Sequence, residues 1–237
     1  SASSLTITSQ PLLAAPPAQW VAELSGDAFF DAAWIDGVSG TVEVAIADGQ
    51  RLLKPKTSYA VSQGARALAS GDINGDSLPD LLVGHAAALS VLIGRGQATF
   101  QPAFELPLPG GAAQLLIYDA SGDGKPDAVA LPAAASSELL FLAGKGNGSF
   151  AAGASIPIGA PVRRLTSSDL DDDGRRDLVV ITERDLRLVR GAGEASFAEA
   201  VVIDTCRDGQ AMTTADFNQD GIRDVLVGSA VDKTLRI

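Results

Sequence analysis

Short aliphatic runs alternate with acidic and glycine-rich turns along this chain. Four of the runs are DLLVG, DAVAL, DLVVI and DVLVG, which begin at Asp80, Asp127, Asp177 and Asp224. Runs of four or five consecutive aliphatic residues between turn residues are typical of strands that are covered on both faces. Because no stretch has helical periodicity, the pattern predicts an all-β protein.

Each aliphatic run belongs to a repeat of about 47 residues. A nine-residue acidic segment precedes the run, and the five copies are ELSGDAFFD, DINGDSLPD, DASGDGKPD, DLDDDGRRD and DFNQDGIRD. They start at Glu23, Asp72, Asp119, Asp169 and Asp216. A strand rich in small residues, such as ARALAS, comes before the acidic segment. A second apolar run, a glycine-rich turn ending in Phe, such as GKGNGSF, and a further strand follow. The unit is therefore four short strands.

A four-stranded repeat of this length predicts one blade of a β-propeller. The small residues of the first strand suit the crowded position nearest the axis. A β-sandwich is the alternative, but it would not repeat one loop five times at nearly constant spacing. We expect a single domain over residues 1–237, with repeats at 15–63, 64–111, 112–160, 161–208 and 209–237, the last completed by 1–14.

The two ends of the sequence predict how the ring closes. The last acidic segment is followed by a second and a third strand only, whereas SLTITSQPLLAAP before the first segment has the pattern of a fourth strand. We therefore expect five four-stranded blades, with the N-terminal strand completing the last one and burying edges that would otherwise be open. The alternative is a part of a seven- or eight-bladed propeller.

The acidic segments have the chemistry of a calcium loop. Aspartates at positions 1, 3, 5 and 9 can turn their carboxylates toward one point, and Ca²⁺ takes six to eight oxygen ligands. An EF-hand would need Glu at position 12 and flanking helices. Position 12 is instead Val83, Ala130, Val180 or Val227, inside a predicted strand, so we expect the ninth-position aspartate to close the shell. Ordinary Asx turns are the alternative, but the fourfold repetition favours calcium.

The predicted ligands are the side chains at positions 1, 3, 5 and 9 of the loops. In the second to fifth loops they are Asp72, Asn74, Asp76 and Asp80; Asp119, Ser121, Asp123 and Asp127; Asp169, Asp171, Asp173 and Asp177; and Asp216, Asn218, Asp220 and Asp224. The fourth loop has four carboxylates and should bind most tightly. The first loop has the weaker set Glu23, Ser25, Asp27 and Asp31. We expect four to five structural calcium ions.

Composition and charge narrow the possible partners. The 237 residues carry a formal charge of −11, with a pI near 4.4, and such a surface repels nucleic acid and anionic membranes. No apolar stretch has transmembrane length, so we expect no membrane insertion. The single cysteine, Cys206, excludes an intrachain disulfide. Five divalent ions would bring the charge from −11 to about −1.

The acidic loop, the aliphatic strand and the LxxGxGxxxF pattern together resemble the FG-GAP/VCBS repeats of integrin-α-like propellers. The resemblance implies calcium in the loop between the first and second strands, at one face of the ring. It also implies backbone carbonyl ligands at position 7, which are Leu78, Lys125, Arg175 and Ile222. Ligands in that family usually meet the opposite face or pockets between blades. Five blades, and a first repeat without a clear GxGxxxF turn, depart from the integrin pattern.

We expect a recognition or scaffold module, and not an enzyme, that binds protein or carbohydrate and is secreted, periplasmic or at the cell surface. It would be a monomeric ring or part of a larger surface protein. The alternative is the propeller part of a polysaccharide-processing enzyme, but such enzymes place their acid–base residues in long insertions that this chain lacks. The candidate ligand-binding residues on the opposite face are Trp34, Tyr59, His85, Arg164, Arg184 and Arg207. No nucleophile elbow accompanies His85, so we expect no catalytic triad.

Overall fold

The computed structural model describes residues 19–22, 24–27, 29–47, 56–229, 231 and 234–236. Regular structure in these residues consists of β-strands, and the predicted all-β class is confirmed. No helix in the described part of the chain has the length and apolar character to cross a bilayer.

The strands are short and are numbered in chain order. They are β1 Gln19–Ala22, β2 Asp31–Asp36, β3 Thr41–Ala45, β4 Thr57–Ala60, β5 Ala67–Gly71, β6 Asp80–Gly84, β7 Ala88–Leu92, β8 Phe104–Pro107, β9 Gln114–Tyr118, β10 Asp127–Leu131, β11 Glu138–Gly144, β12 Phe150–Pro157, β13 Val162–Ser168, β14 Asp177–Thr182, β15 Asp185–Val189, β16 Gly191–Gly193, β17 Ser196–Phe197, β18 Val201–Thr205, β19 Gly209–Ala215, β20 Asp224–Ser229 and β21 Thr234–Arg236.

Consecutive strands pair into small antiparallel sheets. Sheets 1, 2 and 3 have the orders β1-β2-β3-β4, β5-β6-β7-β8 and β9-β10-β11-β12, and sheet 4 has the order β13-β14-β15-β18. The hairpin β16-β17 projects from sheet 4, between its third and fourth strands. Sheet 5 has β19-β20-β21 among the described residues. The four-stranded repeat is therefore confirmed for the first four repeats.

The first strands of successive sheets lie side by side. β1 contacts β5, β5 contacts β9, β9 contacts β13, and β13 contacts β19. The sheets are thus arranged side by side, as the blades of a propeller are. Their first strands, which are rich in small residues, all lie on the side where successive sheets meet. The strand predicted to complete sheet 5 falls in residues 1–14, outside the described residues, so ring closure and the number of blades stay predictions.

Apolar side chains fill the interface between each pair of neighbouring sheets. In β14, Leu178 and Val180 pack in the cluster shared with sheet 3, whereas Val179 and Ile181 pack in the cluster shared with sheet 5. All four side chains are fully buried. Both faces of such a strand are covered by neighbouring sheets, so a polar side chain at every second position would be buried. This explains why the aliphatic runs of the sequence are uninterrupted.

A glycine at the end of the third strand allows the chain to pass close to the acidic loop. A Cβ atom at Gly144 would collide with the carbonyl oxygen of Pro126, the eighth residue of the loop in the same sheet. Gly94 and Gly191 lie against the equivalent carbonyl oxygens in sheets 2 and 4. The first glycine of the GxG pattern is therefore required by packing against backbone.

We predict that Gly144→Ala lowers the free energy of unfolding by about 2 to 3 kcal/mol, because the obstructing atom is a backbone carbonyl that cannot rotate away. Gly37→Ala is the matched control, since a Cβ there meets nothing within 4 Å and should change stability by less than about 0.5 kcal/mol. Denaturant unfolding measures both variants. Equal effects would contradict the packing requirement.

Candidate functional site

The first aspartate of each acidic loop organises the loop backbone. The carboxylate of Asp72 accepts hydrogen bonds from the backbone N–H groups of Gly75 and Ser77, both at 2.7 Å. The first-position aspartates of the third, fourth and fifth loops accept the same bond from the N–H group at position 6, each at 2.9 Å. The four loops therefore share one fold, which their common spacing predicts.

The ninth-position aspartate is buried and joins the loop to the end of the third strand. The Asp127 carboxylate accepts hydrogen bonds from the N–H groups of Ala120 at 3.0 Å, Ser121 at 2.9 Å and Gly144 at 2.8 Å. Asp31, Asp80 and Asp177 bridge the same two segments of their own sheets. These carboxylates act as internal clamps, and their role as calcium ligands stays a prediction.

Burial gives the clamps an electrostatic cost. It raises the pKa of Asp80 and Asp177, and the acids at positions 1 and 5 of their loops raise it further, against the lowering effect of the backbone N–H groups. A carboxyl whose folded-state pKa is raised contributes stability below its unfolded pKa, and this contribution is lost as pH rises through the folded value. A cation at the loops would relieve this cost.

The fourth loop brings three carboxylates together. Oxygens of Asp169, Asp171 and Asp173 all lie within 4.8 Å of one another, which is an arrangement that a divalent cation can use. The guanidinium of Arg190 contacts the Asp171 carboxylate, and that of Arg175 lies 3.9 Å from Asp173. A cation bound by Asp171 would therefore compete with Arg190. The spacing of the loop gives no signal of Arg190, which follows β15.

The other loops share their charges differently. In the third loop, Lys125 donates its ammonium to Asp123 at 3.0 Å, and this hydrogen bond lowers the pKa of Asp123. In the second and fifth loops the third-position amides, Asn74 and Asn218, donate to the fifth-position carboxylates at 2.9 and 3.0 Å. The predicted ligand Glu23 of the first loop lies outside the described residues.

The backbone groups at position 7 also take part in these loops. In the second to fifth loops, the N–H group of the seventh residue donates to the fifth-position carboxylate at 2.8 to 2.9 Å. These residues are Leu78, Lys125, Arg175 and Ile222. Whether their carbonyl groups bind calcium stays a prediction.

The glycine-rich hairpins of sheets 2, 3 and 4 each reach the acidic loop of the preceding sheet. The bonds are Ala98 N–H to the Leu24 carbonyl at 3.0 Å, Gly148 N–H to that of Ile73 at 3.1 Å, and Glu194 N–H to that of Ser121 at 2.8 Å. The first three acidic loops are thus each held by their own sheet and by the next one. A change in one loop is therefore transmitted to the neighbouring sheet.

Several candidate ligand residues meet at the end of sheet 4 that is opposite the acidic loops. Arg184 lies in the turn between β14 and β15, and its carbonyl accepts the N–H group of Cys206, next to Arg207. Arg163 pairs with Glu183 at 3.1 Å. A cavity of about 450 Å³ opens beside them and is lined by Gly159, Ala160, Pro161, Thr182, Glu183, Arg184, Asp185 and Arg187. Arg164 is exposed on β13.

His85 is not on this surface, contrary to expectation. Only 3% of the residue is exposed, and its Nε2 lies 2.6 Å from the hydroxyl of Ser90, which donates to Glu105. The following connection covers it, since the N–H group of Ala112 donates to the His85 carbonyl at 2.8 Å. Burial lowers the pKa of His85. Ser90 is itself fully buried, so a ligand does not reach the His85 or Ser90 side chain.

Tyr59 also has a packing role that the sequence does not reveal. Its hydroxyl accepts the N–H group of Phe100 at 3.2 Å, and the two rings meet edge to face with centroids 5.4 Å apart. It therefore joins sheet 1 to the hairpin of sheet 2. Trp34 is half-buried, and the Lys56 ammonium lies 5.9 Å from its ring centroid. Of these two aromatic residues, Trp34 is the one with exposed surface not committed to inter-sheet packing.

Comparison with known proteins gives a family and a fold. A family model described as an FG-GAP-like repeat matches residues 72–130 and 169–227. No curated protein matches the chain. An Agrocybe aegerita lectin, whose structure is described as the basis for specific recognition of non-reducing terminal N-acetylglucosamine, has a TM-score of 0.65 at 16% identity over 88% of this chain. BBS1N, in its complex with ARL6DN, has a TM-score of 0.61 at 13% identity over 95% of this chain.

These two structural similarities concern the fold, because the sequence identities are so low. The chain spans 59% of the length of the lectin chain and 64% of the BBS1N chain.

We predict that Asp127→Ala lowers the free energy of unfolding by about 3 kcal/mol, because it leaves three backbone N–H groups without their acceptor. Asp123→Ala is the matched control in the same loop. Its carboxylate is exposed and pairs with Lys125, so its loss should cost much less than the loss of the Asp127 carboxylate. Both are measured in excess chelator. Equal costs would contradict the clamp.

Proposed function

This chain belongs to the FG-GAP-like repeat family, and from that premise we propose that it is a non-enzymatic recognition module that binds carbohydrate and is stabilised by calcium. The observation that carries the proposal is the set of equivalent acidic loops at one end of successive sheets, of which the first three are hydrogen-bonded to the next sheet. Such a scaffold presents the turns and pockets of its other end at fixed positions. In this proposal, the calcium sites stabilise the fold and the exposed surfaces bind the ligand.

The chemistry of the loops supports calcium as the ion. Ca²⁺ prefers carboxylate and carbonyl oxygens in a flexible shell, and the oxygens of Asp169, Asp171 and Asp173 already converge. The raised pKa values of Asp80 and Asp177 reflect burial and like charge that an ion would offset. When bound, calcium supplies positive charge to loops of a chain with net charge −11. The loop residues named above would hold it.

The absence of a long insertion supports binding over catalysis. The acidic loops have one length in all five repeats, whereas an enzyme built on such a repeat needs added segments to place an acid and a base. The single histidine is buried and bonded to Ser90, which leaves the Ser90 hydroxyl enclosed. The described cavities are lined by guanidinium, carboxylate and hydroxyl groups that suit hydrogen bonding to a polar ligand.

A lectin of similar fold recognises N-acetylglucosamine, which supports carbohydrate as the ligand class for this chain. We further propose that the protein works outside the cytoplasm, as a secreted, periplasmic or cell-surface module. Extracellular calcium modules bind with dissociation constants of roughly 0.1 to 1 mM, and only compartments with abundant calcium would keep such loops loaded.

We predict that excess chelator lowers the melting temperature sharply and that added calcium restores it. When free calcium is about tenfold above the dissociation constant, each site contributes about 1.4 kcal/mol. Asp173→Asn should reduce the calcium-induced gain by about one such site, because it removes a loop carboxylate. Glu199→Gln, at an exposed acid outside the loops, should keep the full gain. Identical melting curves with chelator and calcium would overturn the metal assignment.

Carbohydrate recognition is tested by screening the full chain on a glycan array, in calcium and in chelator. We expect a restricted set of glycans to be bound in calcium and binding to weaken in chelator, because the loops hold the sheets in register. Heat-unfolded protein is the control for adsorption. A folded, calcium-loaded chain that binds no glycan would contradict the proposed ligand class.

A further inference from the structure

A cavity of about 280 Å³ lies beside the acidic loops, where the ends of β13 and β19 meet. It is lined by Ser167, Ser168, Asp169, Arg176, Thr214 and Arg223. The two arginines are the eighth residues of the fourth and fifth loops. The second and third loops have proline at this position, and the first has Phe30. Two guanidinium groups are thus available only where sheets 4 and 5 meet.

These guanidinium groups are not neutralised by the protein around them. Arg223 is exposed and makes no ion pair or hydrogen bond with the described residues. Arg176 lies over the ring of Tyr118, 5.9 Å from its centroid, and makes only long bonds of 3.4 and 3.5 Å to Ser167. In a chain of net charge −11, two arginines without an acidic partner in one cavity leave their donors open to a ligand.

The carboxylate in the cavity wall does not occupy those donors. Both oxygens of Asp169 accept backbone N–H groups of its own loop, from Asp173 at 3.2 Å and Gly174 at 2.9 Å. The remaining lining groups include the hydroxyls of Ser167 and Thr214. The cavity therefore combines the guanidinium groups of Arg176 and Arg223 with neutral hydroxyl groups that can donate and accept hydrogen bonds.

We propose that this cavity binds the oxyanion, carboxylate or sulfate, of an acidic saccharide. Guanidinium groups pair with planar and tetrahedral oxyanions through two parallel N–H bonds, and the serine and threonine hydroxyls match the hydroxyl groups of a sugar ring. The volume is near the lower end of small-molecule pockets, roughly 300 to 1,000 Å³, which suits one charged sugar residue. The inference rests on the proposed function and names its ligand chemistry.

The test is an NMR titration of the calcium-loaded chain with D-glucuronate, D-glucose 6-sulfate and D-glucose. Calcium is present because the charge of Asp169 would otherwise oppose an anion. We expect either charged sugar to shift the backbone amide signals of Ser167, Ser168 and Thr214, and glucose to leave them unchanged. The affinities of glucuronate and glucose 6-sulfate, compared with each other, show whether the cavity prefers a carboxylate or a sulfate. Equal shifts with glucose would overturn the proposal.

Variants separate this cavity from any other saccharide site. Arg223→Gln and Arg176→Gln should each weaken binding of the charged sugar about tenfold, since each removes one charge-assisted fork. Arg95→Gln is the matched control. This exposed arginine lies in the glycine-rich hairpin of sheet 2, away from the cavity, and its substitution should leave binding unchanged. Melting temperatures check that the variants are folded, and Arg223 makes no ion pair or hydrogen bond with the described residues that the substitution would remove.

The outcomes distinguish the two proposals. Loss of charged-sugar binding in the Arg176 and Arg223 variants, with retention in the Arg95 variant, supports the cavity. Undiminished binding in both cavity variants overturns the cavity while leaving carbohydrate recognition in place. Binding of no sugar to the cavity, together with an array on which no glycan is retained, overturns both.

Discussion

The fold depends most on a buried carboxylate at the start of the second strand in each of the first four sheets. Asp127 receives N–H groups from the acidic loop and from Gly144 at the end of the third strand, so one side chain satisfies backbone donors of two segments that would otherwise be left without partners. Ionisation of such a buried group is costly unless several donors surround it. The requirement for those donors fixes the loop conformation and the path of the hairpin together.

The clamp also links the contacts within a sheet to the contacts between sheets. It brings the glycine-rich hairpin close to the acidic loop, where only glycine fits against the backbone carbonyl of Pro126. The same hairpin then donates Gly148 N–H to Ile73 of the preceding sheet and places Phe150 against the cluster between sheets 2 and 3. Polar and apolar contacts between sheets therefore come from one segment. A repeat protein of this kind is stabilised by neighbour interfaces more than by any sheet alone.

The sequence could predict those features that a repeated local pattern determines. Strand β14 is an example, because its aliphatic run already implies burial on both faces, and the fold of the loop at Asp72 follows from its Asx spacing. The sequence could not predict contacts between segments that are far apart in the chain. His85 was placed on the surface, but the connection through Ala112 covers it. Arg190 meets Asp171 only because β15 ends beside the fourth loop. Neither contact has a signal in the local spacing.

The number of carboxylates in a loop is therefore not a sufficient measure of its affinity for an ion. The fourth loop has the most acids, yet Arg190 and Arg175 already lie against two of them. A calcium ion in this loop would gain the attraction of those carboxylates but would compete with Arg190 for Asp171. The second loop, with Asn74 in place of an acid, has no such competitor among the described residues. If calcium binds, the relative affinities of the second and fourth loops would depend on the net charge of each loop, counted together with the cationic side chains that contact it. By the same reasoning, Arg176 and Arg223, which form no ion pair with the described residues, would be available to an anionic ligand.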